Sequence, residues 1–397
     1  MKLDKRSIIF LLNILVFSLD SVLNYFYDFP VFVVSLMFYF VVLIVPGFFS
    51  FKKYHSFLII ILFFSLSFIF NTFRDGFYKE SLSDFLFIIS FFGSFYLFSD
   101  TISFKNNNKL ILFFLLTTLL LFSGTYLGFD QNKWGNTIGL KTDDIEFSRS
   151  YRQGFFRKAH IASYFFTFTL LYFMNRLKSL KANKLTYIVT IVPLTYVIFI
   201  TGSRTPIVVI FLGLILFYFK IKYLKYLIIF VVLSVGLIIF IDEALVLFSD
   251  TIIYQYITII KTIFSNFERL SRIIIWASWW SEVKTFNLID FVFGRGFNAS
   301  TVANQKNVSN SIWFHNDFLS IFYSYGILPL IIYINLFVNI YKKHKKIIRS
   351  NIFIFLTFSG FWLSAFFNGF YYYYTVILLY LFYTMIYESN EVSDIRD

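Results

Sequence analysis

SNSIWFHNDFLSIFYSYGILPL, residues 309–330, is the stretch on which the reading of the fold turns. A polar loop ends in Trp313 and Phe314, and His315, Asn316 and Asp317 follow at once. From Phe318 the chain is apolar for about a membrane's thickness. A titratable group at the mouth of a spanning helix is costly to place by chance and marks function. The same residues also read as a plain helix start with Asn316 or Asp317 as its cap. The stretch alone leaves both readings open, and the arginines elsewhere decide between them.

The composition sets the frame. The chain is 58% hydrophobic and 24% aromatic, with a mean hydropathy of +0.72, far from a soluble domain. Apolar runs long enough to cross a bilayer recur along it, which predicts an all-α, polytopic integral membrane protein. The 60 Phe, 28 Tyr and 6 Trp suit lipid-facing helix sides and the membrane boundary. With no Cys, neither a disulfide nor a thiolate nucleophile or ligand is available. A net charge of +13 would draw nucleic acid to a soluble protein. Here much of it lies in short loops, where it sets orientation, and no nucleic-acid partner is expected.

Working outward, about twelve transmembrane helices are expected. They fall near 7–26, 30–50, 55–72, 84–99, 109–128, 159–175, 185–201, 205–219, 224–241, 318–341, 351–369 and 371–387. The first lacks a small-x-small cleavage site and is expected to be retained. Alternate connections carry the basic residues, such as Lys52 and Lys53, Arg176 to Lys184, and Lys342 to Arg349. The positive-inside rule then puts both termini in the cytoplasm. Residues 1–397 form one transmembrane domain with two long outward loops, 129–158 and, between spans nine and ten, the large 242–317. Within the second, 252–264 and 273–280 are too short to span and read as interfacial helices with aromatic faces in lipid. The 73–83 connection is mixed in charge and carries no usable pattern.

Chemistry has few candidate residues. His55 and His344 lie among lysines and read as solvated, whereas His160 and His315 flank the two outer loops. Only histidine titrates near neutral pH without help, which makes these two the economical general bases. Arg204 stands alone in TGSRTP; Arg149, Arg152 and Arg157 precede the sixth span; Arg269 and Arg272 share a helix face; Arg295 sits between Gly294 and Gly296. A guanidinium grips phosphate with a planar fork, so several at one membrane surface suit a lipid-linked diphosphate. Each alone also reads as a snorkelling headgroup contact. The Gly294-Arg295-Gly296 turn offers backbone N–H groups to phosphate. Asp143 and Asp144, the one outer acidic pair, read as a solvated loop, so no metal site and no cofactor is expected. Asp20 is an intramembrane carboxylate that reads either as a relay or as an arginine's partner.

Four pieces, in this order, resemble the O-antigen polymerase and ligase superfamily of integral-membrane glycosyltransferases. They are YRQGFFRKAH (151–160), TGSRTPIVVIFLGLILF (201–217), RIIIWASWWSEVKTFNLIDFVFGRGF (272–297) and FHNDFLSIFYSYGILPL (314–330). Arg204 matches a Ser-Arg element, Arg272 with Trp276 an Arg-x-x-x-Trp element, and Gly294 with Gly296 a Gly-x-Gly element. His315 and Asn316 match the His-Asn element, with Gly326 after the apolar residues. His160 departs from the pattern, since relatives often carry Asn there.

The resemblance implies a glycan moved from undecaprenyl diphosphate to a sugar hydroxyl on the periplasmic face of the bacterial inner membrane, without metal and with inversion. It implies His315, Arg204 and Arg272 as catalytic residues, with Arg152, Arg269, Arg295, Asn316 and His160 binding substrate. Implied partners are the undecaprenyl-diphosphate-linked oligosaccharide, membrane lipid, a chain-length regulator and a flippase. O-antigen polymerase is the favoured activity and O-antigen ligase, acting on lipid A–core, the alternative. A polysaccharide transporter or flippase is a different class that twelve spans would also permit. It fits less well, because charge gathers at the outer mouths and no half-repeat is evident.

Overall fold

The computed structural model describes residues 51–98, 108–127, 141–142, 145–146, 154–156, 159–180, 183–201, 205–218, 271–308, 314–367, 369 and 375–394. Expected spans one, two and nine, Asp20, the Asp143–Asp144 pair and the expected interfacial helix 252–264 lie outside the described residues.

Among the described residues the fold is helical. The long helices are α1 (Phe51–Asp75), α2 (Lys79–Phe98), α3 (Asn108–Leu127), α4 (Ala159–Ser179), α5 (Lys184–Ile200) and α6 (Thr205–Tyr218). Four short helices follow, α7 (Ser271–Val283), α8 (Leu288–Phe293), α9 (Phe297–Val308) and α10 (Asp317–Tyr325). The chain then runs through α11 (Ile327–Ser350), α12 (Ile352–Phe367) and α13 (Thr375–Asp394). A two-residue antiparallel ladder, β1 (Lys141–Thr142) with β2 (Ile145–Glu146), is the only strand pair described. Expected spans three to eight, eleven and twelve each fall on a helix. By length and hydropathy, His55–Asp75 alone among the described residues is long and apolar enough to cross a membrane unaided.

The surfaces of α1 and α5 explain why those segments are apolar. Ile59, Leu62, Leu66 and Ile69 recur at helical spacing and are about half-exposed, while Phe57, Ile60 and Phe64 of the same helix are buried. Leu185, Ile188, Val189 and Val192 form a similar exposed stripe on α5. Such stripes would be unusual in water and are natural against lipid. The aromatic residues do more than face lipid. Phe57, Phe64, Phe91, Phe92 and Phe98 are fully buried, and ring pairs such as Phe64–Tyr325, at 5.1 Å, knit helices together.

Polar contacts gather at the two ends of the bundle. At one, Arg176 of α4 pairs with Glu388 of α13 at 2.5 Å, and Asn351 donates to Asn175 and Ser389. At the other, the end of α1 meets α8 and the end of α10. His344 was expected to be solvated and is not. It sits past the expected end of the tenth span, at a non-helical kink in α11, half-buried with its ring against Tyr383. Burial, and then the charge of Lys343, push its pKa down to about 4.

The tenth expected span, 318–341, is not one helix. It breaks at Gly326, which has φ 89°, into α10 and α11. The cause is tertiary. A Cβ at Gly326 would lie 2.0 Å from the Val292 carbonyl oxygen, so the backbone passes where a continuous helix would carry a side chain. Among the described residues, helix α10 packs against α1, α8, α9, α11 and α12.

Candidate active site

The site is built around the two ends of α10. At its C-terminal end the Gly294-Arg295-Gly296 segment lies along the chain. The Arg295 N–H donates to the Tyr323 carbonyl at 2.6 Å and the Gly296 N–H to the Ser324 carbonyl at 3.2 Å. The Gly294 N–H donates to Asp290, closing α8. Gly294 has φ 72°, and a Cβ there would stand 2.5 Å from the Tyr325 nitrogen. The glycines therefore permit backbone-to-backbone contact. The expectation that this turn offers N–H groups to phosphate is corrected, because all three already have carbonyl partners.

Arg295 is engaged in the same way. Its guanidinium donates to Asp290 at 3.0 and 3.1 Å, to Glu282 at 3.4 Å and to the Thr285 carbonyl at 2.9 Å, and it lies 4.6 Å over the Phe286 ring. Asp290 also caps its own helix with Asn287 and accepts from Arg74 at 3.0 Å. Asn71, one turn before Arg74, donates to the Phe293 and Ser324 carbonyls. Asp290 thus ties Arg74 of α1 to Arg295, and the pair of arginines is neutralised within the protein. Sequence reasoning passed over Arg74, Asn71 and Asp290; the signal available was an amide inside an otherwise apolar span.

The N-terminal end is different. His315 has φ 52°, the only positive value at a non-glycine residue among the described residues. It is half-buried, between fully buried Phe314 and Asn316. Asn316 is the cap, its side-chain oxygen accepting from the Leu319 N–H at 3.1 Å. Fully buried Asp317 accepts from the Tyr333 hydroxyl of α11 at 2.5 Å. Both neighbours therefore hold the helix start, and the capping reading of this stretch is met by Asn316. Tyr325, before the break, donates to buried Asp84 of α2 at 2.6 Å. Helix α7 closes over this segment from the other side. Trp276 donates to the Phe314 carbonyl at 3.2 Å and Trp279 to the Leu319 carbonyl at 3.1 Å. The aromatic face expected in lipid is turned partly to protein, with Trp280 left exposed.

The remaining candidates are placed only in part. Arg272 lies in the first turn of α7, whose Trp276 touches the residue before His315, and His160 lies in the first turn of α4. Arg204, Arg152, Arg269, Arg149 and Arg157 lie outside the described residues. No group of three or more His, Asp or Glu that could hold a metal ion is gathered among the described residues.

Residues 189–334 match the family model for O-antigen ligase, and the match runs through α5, α6 and the whole of the α7–α10 assembly. It supports the O-antigen polymerase and ligase superfamily, whose members are membrane proteins acting on O-antigen, and the helical fold agrees. No curated protein and no solved structure matches the chain.

Proposed function

We propose, taking membership of the O-antigen polymerase and ligase superfamily as premise, that this chain is the polymerase. It moves the growing glycan from undecaprenyl diphosphate onto a sugar hydroxyl of a new lipid-linked repeat unit, at the periplasmic face of the inner membrane. The observation that carries the reading is the left-handed backbone of His315. A non-glycine residue held at positive φ costs free energy, and such conformations cluster at functional sites. His315 takes the acceptor hydroxyl's proton as the new C1–O bond forms. The C1–O bond to the diphosphate breaks on the opposite side, the diphosphate leaves with the electron pair, and the anomeric configuration inverts. Arg204 and Arg272, helped by Arg152 and Arg269, hold the diphosphate and neutralise the charge that develops on it. Arginine rather than a metal ion carries the positive charge in this scheme. Both termini are cytoplasmic, and a flippase and a chain-length regulator are the expected partners.

A second reading is the ligase, which hands finished glycan to lipid A–core, and the match to the O-antigen ligase family supports it. Deleting the gene and running the lipopolysaccharide on a gel separates the two. Core plus one repeat is expected for the polymerase, whereas core alone with accumulated lipid-linked polymer would identify the ligase. Unchanged lipopolysaccharide would end both. The diphosphate role has its own test in Arg204→Lys, which keeps the charge and loses the fork, and should lose most transfer activity. Full activity at equal expression would reduce Arg204 to a headgroup contact.

A further inference from the structure

A cleft of about 380 Å³ opens at the C-terminal end of α10, away from His315. Its wall includes Thr72 and Asp75 of α1, Tyr78 in the turn to α2, Glu282 of α7, Arg295 and Lys306 of α9. The volume falls in the ~300–1,000 Å³ range of small-molecule pockets. Its two carboxylates are each held by a hydrogen-bonding arginine. Arg74 donates to both oxygens of Asp75, and Glu282 accepts from Arg295 and from Asn307. A carboxylate has about four acceptor positions, so each keeps capacity for hydroxyl donors from the cleft. Lys306 is exposed and supplies N–H donors. The Tyr78 ring, 39% exposed, lies at the rim and offers an apolar face beside a hydroxyl.

Charge narrows the occupant. Asp75 and Glu282 balance Arg295 and Lys306, so an anion would meet two fixed carboxylates and a cation would meet two basic groups. The ligand these walls fit is uncharged, with hydroxyls that meet the polar side chains and C–H faces that meet the apolar rest of the lining, Phe68, Val302 and Ala303 among it. We propose that the cleft is a saccharide subsite that holds a sugar of the glycan away from the bond being made. Helix α10, nine residues and about 13 Å long, separates it from His315. The source of the sugar rests on the transferase reading; the subsite itself rests on the cleft.

The test uses the full chain purified in detergent. The probe is the single-repeat oligosaccharide released by mild acid from the host's lipid-linked glycan, with binding followed by saturation-transfer NMR. Wild type should bind the oligosaccharide. Tyr78→Ala and Asp75→Ala should each weaken binding roughly tenfold, a loss of about 1.4 kcal/mol. Both positions are at the surface, and unchanged melting of the two variants checks their fold. Absence of binding by wild type, or wild-type affinity in both variants, overturns the subsite. If Tyr78-dependent binding occurs but wild-type membranes transfer no glycan, the subsite stands and the transferase reading falls. Transfer together with Tyr78-independent binding overturns the subsite alone.

Discussion

The two ends of α10 carry residues of the same family-like motifs and differ in backbone conformation. At the C-terminal end every motif group is occupied within the protein. The glycines allow backbones to touch, the N–H groups find carbonyls, and Arg295 is neutralised by Asp290 and Glu282. At the N-terminal end Asn316 and Asp317 fasten the helix, and His315 between Phe314 and Asn316 is half-buried at a positive φ. At the C-terminal end, then, motif residues serve as scaffold, and their partners show that more directly than their residue type does. An arginine whose guanidinium already meets two carboxylates is a poor phosphate clamp, because a phosphate would have to displace them.

The comparison breaks most visibly at Gly326. A Cβ there meets the Val292 carbonyl at 2.0 Å and the backbone sits at φ 89°. Gly326→Ala should cost upward of about 3 kcal/mol, through backbone strain and overpacking together. A wild-type melting temperature in detergent would show that the break is not pinned as described.

A smaller effect is expected at the arginine cluster. Asp290→Asn removes the carboxylate shared by Arg74 and Arg295 and should destabilise by about 2 kcal/mol, the scale of charged hydrogen bonds. Arg295→Lys should lower melting temperature and transfer together. If transfer fell sharply at an unchanged melting temperature, Arg295 would belong with the chemistry after all.

The smallest effect concerns the opposite end of the bundle. His344 has a folded pKa lowered to about 4, so the unfolded chain takes up the proton first as pH falls through about 6.5. Its contribution is full above that value and is lost as pH falls toward 4. The loss should be about 1 kcal/mol, since the ring is only half-buried and water screens the remainder. His344→Gln should flatten this part of the melting-temperature profile between pH 7 and 4.5. An identical profile in wild type and variant would contradict the burial of His344.

Much of this arrangement was legible in the sequence, for reasons that also explain the gaps. Long apolar runs punctuated by basic clusters predicted most of the described helices, because hydropathy is a local property. Asn316 was readable as a cap, because an amide just before an apolar run has few other uses. The break at Gly326 was not, since a single glycine is tolerated in an apolar helix until another backbone occupies its Cβ position. Arg74 was hidden in a mixed-charge connection. Its partner Asp290 lies 216 positions away, and nothing nearby in the sequence points to it.

The central claim is that the strained histidine, rather than the fastened end of the helix, performs the chemistry. The most direct measurement is the pH–rate profile of glycan transfer for wild type and His315→Asn. Asparagine tolerates the left-handed backbone and so preserves the local fold while removing the imidazole. The account predicts a loss of roughly 10²–10⁴-fold in rate, with the acid limb of the profile abolished and insertion and melting unchanged. An active His315→Asn enzyme with an unaltered acid limb would contradict it and leave His315 as a residue of the helix start.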